Sequence, residues 1–431
     1  GCIHQNMIGR DIHKLAKKLW PINRSITGVG VRETLNIIKQ HIPELIINEV
    51  PSGTKVFDWE IPKEWEVKEA WIRDPKGRKI CNFKENNLHL VGYSTPVKAR
   101  MSLAELNEHL CSLPEKPDAI PYVHSYYNDW WGFCISQNER DTLEEGIYEV
   151  YIDSEKFEGS LTYGELLIAG ETEREIFLST YVCHPSMANN ELSGPTVTTF
   201  LAKWIQKLKH RKYSYRIIFI PETIGSITYL SYNKDVMQKR IYAGFNVTCV
   251  GDDRDYSYLP SRRGNTISDQ MAQHVLKHIH PNYSTYEWKD RGSDERQYCA
   301  PNIDLPVASM MRTKYQEYDE YHTSLDNLET VVTEQGLEGG FNALKLAIEG
   351  IERNCYPQVT VYCEPQLGKR GLYPTLMTSS YSQELRLMMD LLSWSDGTKS
   401  LLEISEICEV AIWDTYPIIE QLLTHNLIEL H

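Results

Sequence analysis

Two histidines and a set of carboxylates in this 431-residue chain each follow an apolar run of strand length. His184 ends "FLSTYVC", and Glu191 comes seven residues later, just before a Ser-Gly turn. Glu222 follows "RIIFIP", and Asp252 and Asp253 follow "FNVTCVG". Asp294 and Glu295 sit in "DRGSDERQY", and His322 sits in "YDEYHTSLDN", after the run "LPVASMM". In an open α/β sheet the loops beyond the carboxyl ends of the strands build the ligand site. Imidazole and carboxylate gathered there are the nitrogen and oxygen donors that zinc takes. Singly, each residue has an ordinary structural explanation. A histidine after a strand is usually a hydrogen-bonded fixture. Pro-Glu-Thr suits a helix N-terminus, where acid complements the macrodipole. An Asp-Asp pair makes a turn, and "YHTSLD" makes a capped turn. Their recurrence at strand ends, in this order, is what points to a site.

The elements that would position them form three regions. Residues 9–20 carry Ile12, Leu15, Leu19 and Trp20 at helical spacing. The loop "PINRSITGVG" then offers Ser25 or Thr27 as a cap for a helix over "VRETLNIIKQHI". Short alternating runs separated by turns such as "DPKG" mark residues 58–154 as a β-rich insertion. Strand-length and helical segments then alternate, which implies an α/β domain with a central, mostly parallel sheet flanked by helices, built from residues 1–57 and 155–350. A Pro/Gly-containing connector from residue 356 leads to three helical segments, so residues 355–431 read as a winged-helix-like module.

Composition narrows the function. Hydrophobic residues make up 41% and charged residues 24%, which is ordinary for a soluble globular protein. The net charge of −14 argues against nucleic acid as a partner, because phosphate contacts need a basic surface. No apolar run approaches the ~20 residues of a membrane span, and residues 1–20 lack the apolar core of a signal peptide. The ten cysteines are scattered without a C-x-x-C pair, as expected of reduced thiols in a cytoplasmic protein.

The ordered set His184, Asn-Glu191-x-Ser-Gly, Pro-Glu222-Thr-x-Gly-Ser, Gly-Ser-Asp294 and Tyr-His322-Thr-x-x-Asp326 resembles the di-zinc exopeptidase superfamily. The whole arrangement is similar to a bacterial aminopeptidase-like branch of it that is associated with polysaccharide biosynthesis. The resemblance implies one or two zinc ions and a peptide or small amide substrate. It implies His184, Glu191, Asp252 and His322 as metal ligands and Glu222 as the general base. It also departs from the family pattern. Glu191 stands where aspartate is usual, and Thr223 stands where a second, metal-binding glutamate is usual. Asn246 or Thr248 falls where a further aspartate is usual, so Asp252 is a substitute. Three functions remain open: a zinc aminopeptidase-like hydrolase, a non-catalytic metal- or peptide-binding scaffold, and a hydrolase of sugar-linked or small-metabolite amides. Arg262, Arg263 and Arg312 are candidates to hold a substrate carboxylate. The aromatic stretch "YVHSYYNDWWGFC" either caps the site or forms the core of the insertion. The terminal module is a candidate contact for a second subunit.

Overall fold

A computed structural model describes residues 2–372 and 379–431, with the side chains of residues 7–372 and 383–431. The end of the expected connector, residues 373–376, lies outside the described residues. Helices α1 (Cys2–Leu19) and α2 (Val29–His41) lead into β1 (Ile46–Pro51). A four-stranded antiparallel sheet follows, made of β2 (Glu64–Arg73), β3 (Lys79–Ile80), β4 (Val97–Ser102) and β5 (Ile147–Phe157). The chain returns through β6 (Ser160–Ile168), β7 (Glu175–Tyr181), α3 (Ser193–Gln206), β8 (Ser214–Ile220), α4 (Ile224–Arg240) and β9 (Ile241–Asn246). It continues through β10 (Ser257–Leu259), α5 (Ile267–Ile279), β11 (Ser284–Thr285), β12 (Val307–Met311) and α6 (Glu334–Arg353).

The main sheet has eight strands in the order β1-β6-β8-β7-β9-β12-β10-β11. Its centre, β8-β7-β9-β12, is parallel, while β1 pairs antiparallel with β6, β6 with β8 and β10 with β12; β10 and β11 are parallel to each other. Every residue of β7 is buried, as a strand covered on both faces requires. From β7 the chain steps to β8 on one side, then crosses to β9 on the other. The crevice for a ligand therefore opens at the carboxyl end of β7.

The chain forms two compact units. The first comprises residues 1–268 and 284–342 and contains the main sheet and the inserted sheet. One apolar core joins these two sheets, running from Trp65, Ile72 and Val150 to Phe177, Ile218 and Val307. The insertion thus shares a core with the main sheet instead of closing one of its own. Neither Ser25 nor Thr27 caps α2: Gly28 stands at the N-cap with φ 112°, and Thr27 bonds Tyr93 and the Trp65 amide. The loop docks the inserted sheet, and that contact outcompetes the local cap.

The second unit comprises residues 269–283 and 343–431. It holds β13 (Pro357–Val359) paired antiparallel with β14 (Ile428–Leu430), and helices α7 (Ser379–Ser393), α8 (Leu401–Ile407) and α9 (Ile412–Thr424). Ser400 and Glu403 form a capping box at the start of α8. No helix among the described residues is long and apolar enough to cross a membrane. No disulfide joins the nine cysteines whose side chains are described.

Candidate active site

His184 lies just past the carboxyl end of β7, and Glu191 lies in a π-type turn (Ala188–Leu192) that opens into α3. The two meet directly. The Glu191 Oε2 lies 2.9 Å from His184 Nδ1 and accepts from the His184 amide at 2.7 Å. Oε1 accepts from the Cys183 amide at 3.0 Å and forms an ion pair with Arg24 Nε at 3.1 Å. Arg24 is itself buried, and it also donates to the carbonyls of Leu19 and His184. The Glu191 carboxylate is thus enclosed by donors. Burial pushes its carboxyl up to about 8, while Arg24 and the two amides pull the other way. A shell made of donors satisfies the ionised form. Fixing Nδ1 in this way leaves Nε2 of His184 as the nitrogen available to a ligand.

The small residues after Glu191 have a packing reason. A Cβ on Gly194 would lie 2.5 Å from the Val247 carbonyl oxygen and 2.5 Å from Thr180 Oγ1. Only glycine lets α3 start this close to the ends of β7 and β9. Asp326 holds the same turn from the other side. It accepts from the amides of Asn189 and Asn190 at 2.7 and 3.0 Å and from the Tyr318 hydroxyl at 3.0 Å. Burial pushes Asp326 up to about 7.

His322 comes to the same crevice in a left-handed conformation, φ 55°, with its carbonyl accepting from the Tyr122 amide. Its ring centroid is 6.1 Å from that of His184. Tyr122, from the insertion, packs edge-on against both rings, at 5.1 and 5.2 Å. Burial holds both histidines down at about 3, so both are neutral imidazoles at neutral pH.

Glu222 follows β8 and precedes α4. Thr223 has φ 67° and ψ −76°, and the Ile224 amide donates to the Glu222 carbonyl, which makes a γ-turn of the rare, strained hand. Asp294 secures that turn by accepting from the Thr223 amide at 2.8 Å and from Ser226 Oγ at 2.7 Å. Ser293 Oγ donates to Glu222 Oε2 at 3.0 Å. The Glu222 residue keeps some exposure, but its carboxyl lies deep enough that desolvation, reinforced by Asp294, pushes it up to about 8. The other oxygen of Asp294, Oδ2, is buried without a hydrogen-bond partner.

The remaining expected residues are placed elsewhere. The carboxylate of Asp252 takes four donors: Asn189 Nδ2, the Thr313 amide, Thr313 Oγ1 and the Arg254 amide. It ties the Asn189 turn to the end of β12 and lies outside the group Cys183, His184 and Glu191. Arg262 and Arg263 follow β10, which runs antiparallel to β12, so they stand at the opposite end of the sheet and pair with Asp304. Arg312 does follow a parallel strand, but its guanidinium is engaged by the carbonyls of Asp255 and Gly336 and by the Tyr256 ring. Arg24 and Tyr122 were not expected. Arg24 was hidden in a loop that reads only as turn-forming, and Tyr122 in an aromatic stretch with two readings.

The fold, a large sheet with a parallel centre flanked by helices, is shared with zinc aminopeptidases. The structure of a zinc aminopeptidase from Bacillus subtilis superposes with a TM-score of 0.58 at 13% identity, covering 80% of this chain and 94% of that one. The family described as "Domain of unknown function (DUF4910)" matches residues 13–354, and a winged helix-turn-helix family matches residues 354–430. The chain belongs to the first of these families and ends in a winged-helix domain. A Clostridium acetobutylicum protein, provisionally named a polysaccharide biosynthesis protein with an aminopeptidase-like domain, is 49% identical over 399 residues, 92% of this chain and 91% of that protein. A crystal structure of a provisionally named peptidase from the same organism superposes with a TM-score of 0.93 at 45% identity, covering 99% of this chain and 97% of that one.

Proposed function

We propose that this protein is a zinc-dependent hydrolase of the aminopeptidase type, which cleaves a peptide or related amide bond. The observation that carries the reading is the pair of neutral imidazoles, His184 and His322, facing one crevice with Nδ1 of His184 held by a buried carboxylate. That donor set fits zinc, which commonly binds histidine whose other ring nitrogen is tied to a carboxylate. His184 and His322 would hold the ion, and Glu191 orients His184 instead of completing the shell. Bound there, zinc supplies a Lewis acid and lowers the pKa of a bound water. Glu222 accepts a proton at its carboxylate and returns it to the leaving amine, and its raised pKa suits that exchange near neutral pH. The strained turn at Thr223 and the Ser293 bond fix where this carboxylate points. The kinship with a protein provisionally named for polysaccharide biosynthesis supports amides carried on sugars as substrates alongside peptides.

A second reading, a non-catalytic scaffold, is favoured by one observation. Among the described residues, Cys183, His184 and Glu191 form the group of metal-type side chains, and its carboxylate is already paired with Arg24. Metal content per chain should be measured in the wild type, His184→Ala and His322→Ala, with turnover of a panel of aminoacyl and N-acyl amides. The hydrolase reading expects metal in the wild type, loss of most of it in both variants, and turnover of at least one amide. Equal metal in three folded proteins would remove the ligand assignment. Metal without turnover would leave the scaffold.

A further inference from the structure

A second site lies at the other end of the parallel strands. A groove of about 360 Å³ is lined by Arg174, Lys239, Arg240 and Arg263, together with Tyr242, Asn265 and Thr266. Among the described residues its lining carries four cations and no carboxylate, in a chain whose net charge is −14. Arg174 immediately precedes β7, Arg240 precedes β9 and Pro306 precedes β12, so the groove crosses the amino ends of three adjacent strands. It is therefore separated from His184 by a strand length, about 20 Å.

The Arg174 guanidinium lies 3.9 Å from the Tyr242 ring centroid. This stacking fixes its plane while leaving its edge N–H groups to donate. Among the described residues, no carboxylate pairs with Arg174 or Lys239. Arg240 has one acidic neighbour, the exposed Glu173 at 3.9 Å, and its Nε is buried without any hydrogen-bond partner. Arg263 shares Asp304 with Arg262. A buried guanidinium N–H without an acceptor is costly, and a ligand oxygen would relieve it. Glu173 and Asp304 offset two of the four cations in part, and an anion of more than one charge would offset the remaining positive charge.

We propose that this groove binds a small phosphate-bearing anion of at least two negative charges, held by Arg174, Lys239, Arg240 and Arg263. Its volume falls within the small-molecule range rather than that of a macromolecular cleft. Planar guanidinium groups match phosphate oxygens by paired hydrogen bonds. This inference is independent of the hydrolase reading, because binding can be read without metal or turnover.

The full-length protein is titrated calorimetrically with pyrophosphate, orthophosphate and a short mixed-sequence DNA duplex, all at one ionic strength set with sodium chloride. Saturable one-to-one binding of pyrophosphate, tighter than that of orthophosphate, is expected. The double variant Arg174→Gln/Lys239→Gln should weaken it by tenfold or more, while His184→Ala leaves it unchanged. Both altered side chains are exposed, and an unchanged thermal melt would show that folding is intact. A third variant, Arg263→Gln, should weaken binding separately. Three results would each overturn the proposal: heats no larger than those of added chloride, unchanged affinity in the double variant, and tighter binding of duplex than of pyrophosphate.

Discussion

The buried pair of Arg24 and Glu191 makes the sharpest demand on the chemistry described here. Both side chains are fully buried, with Nε and Oε1 3.1 Å apart. Glu191→Gln would leave the Arg24 charge without its partner and would turn an amide N–H toward amides that already donate. Removing one member of such a pair costs about 3–5 kcal/mol. Arg24→Met keeps much of the volume but leaves the carboxylate uncompensated and frees the Leu19 and His184 carbonyls. The same range applies, plus about 1 kcal/mol for each lost hydrogen bond. The double variant removes both charges together, so its loss should fall short of the sum by about 2–3 kcal/mol. Urea unfolding of the full chain, followed by tryptophan fluorescence, gives all three values. Single losses below about 1 kcal/mol, or strict additivity, would refute the idea that these two charges exist for each other. Glu191→Gln carries a second readout. With Nδ1 no longer tied to a carboxylate, metal affinity should fall by about 10–100-fold. Stability lost with metal affinity intact would show that the pair only holds the fold.

Other outcomes follow from the same geometry. Glu222→Gln should retain metal and lose about 10²–10⁴-fold in turnover, because an amide cannot take the proton; loss of metal would recast Glu222 as a ligand. The base works only when deprotonated, so turnover should rise as pH rises through about 8, well above the ordinary carboxylate range. Asp294→Asn removes a neighbouring negative charge that raises Glu222, so this acid limb should move to lower pH; an unmoved limb would show that Asp294 acts only on the turn. The winged-helix domain should not bind DNA, since residues 381–431 carry nine acidic and two basic residues. Salt-sensitive binding of mixed duplex by the full chain, abolished by substitutions in α9, would refute this.

The centre of the main sheet was legible because its strands are buried on both faces and therefore carry short continuous apolar runs, as "IIFI" within β8 does. The helices between them show equally clear periodicity. What did not show was how the insertion packs. Its alternating strands have apolar faces of their own, and nothing local states that Trp65 and Val150 share a core with Phe177 and Ile218. The misplaced cap has the same origin. Thr27 satisfies the local rule for an N-cap, yet its hydroxyl goes to Tyr93, 66 residues away.

The arginines show why strand direction matters as much as strand position. Arg262 and Arg312 both follow short apolar runs, and sequence alone gives them equal standing. Whether a residue after a strand reaches the ligand end depends on which way that strand runs in the sheet. β12 is parallel to its neighbour β9, and β10 pairs with it the other way. That single reversal carries Arg262 and Arg263 to the amino ends of the strands. There Arg263 joins Arg174, Lys239 and Arg240 instead of a substrate near His184. Pairing direction is a property of long-range hydrogen bonds, and a strand of three residues records too little side-chain pattern to announce it. The histidines were safer ground. Both follow strands of the parallel centre, where every carboxyl end faces the same crevice, so finding the strands was enough to bring the two rings together.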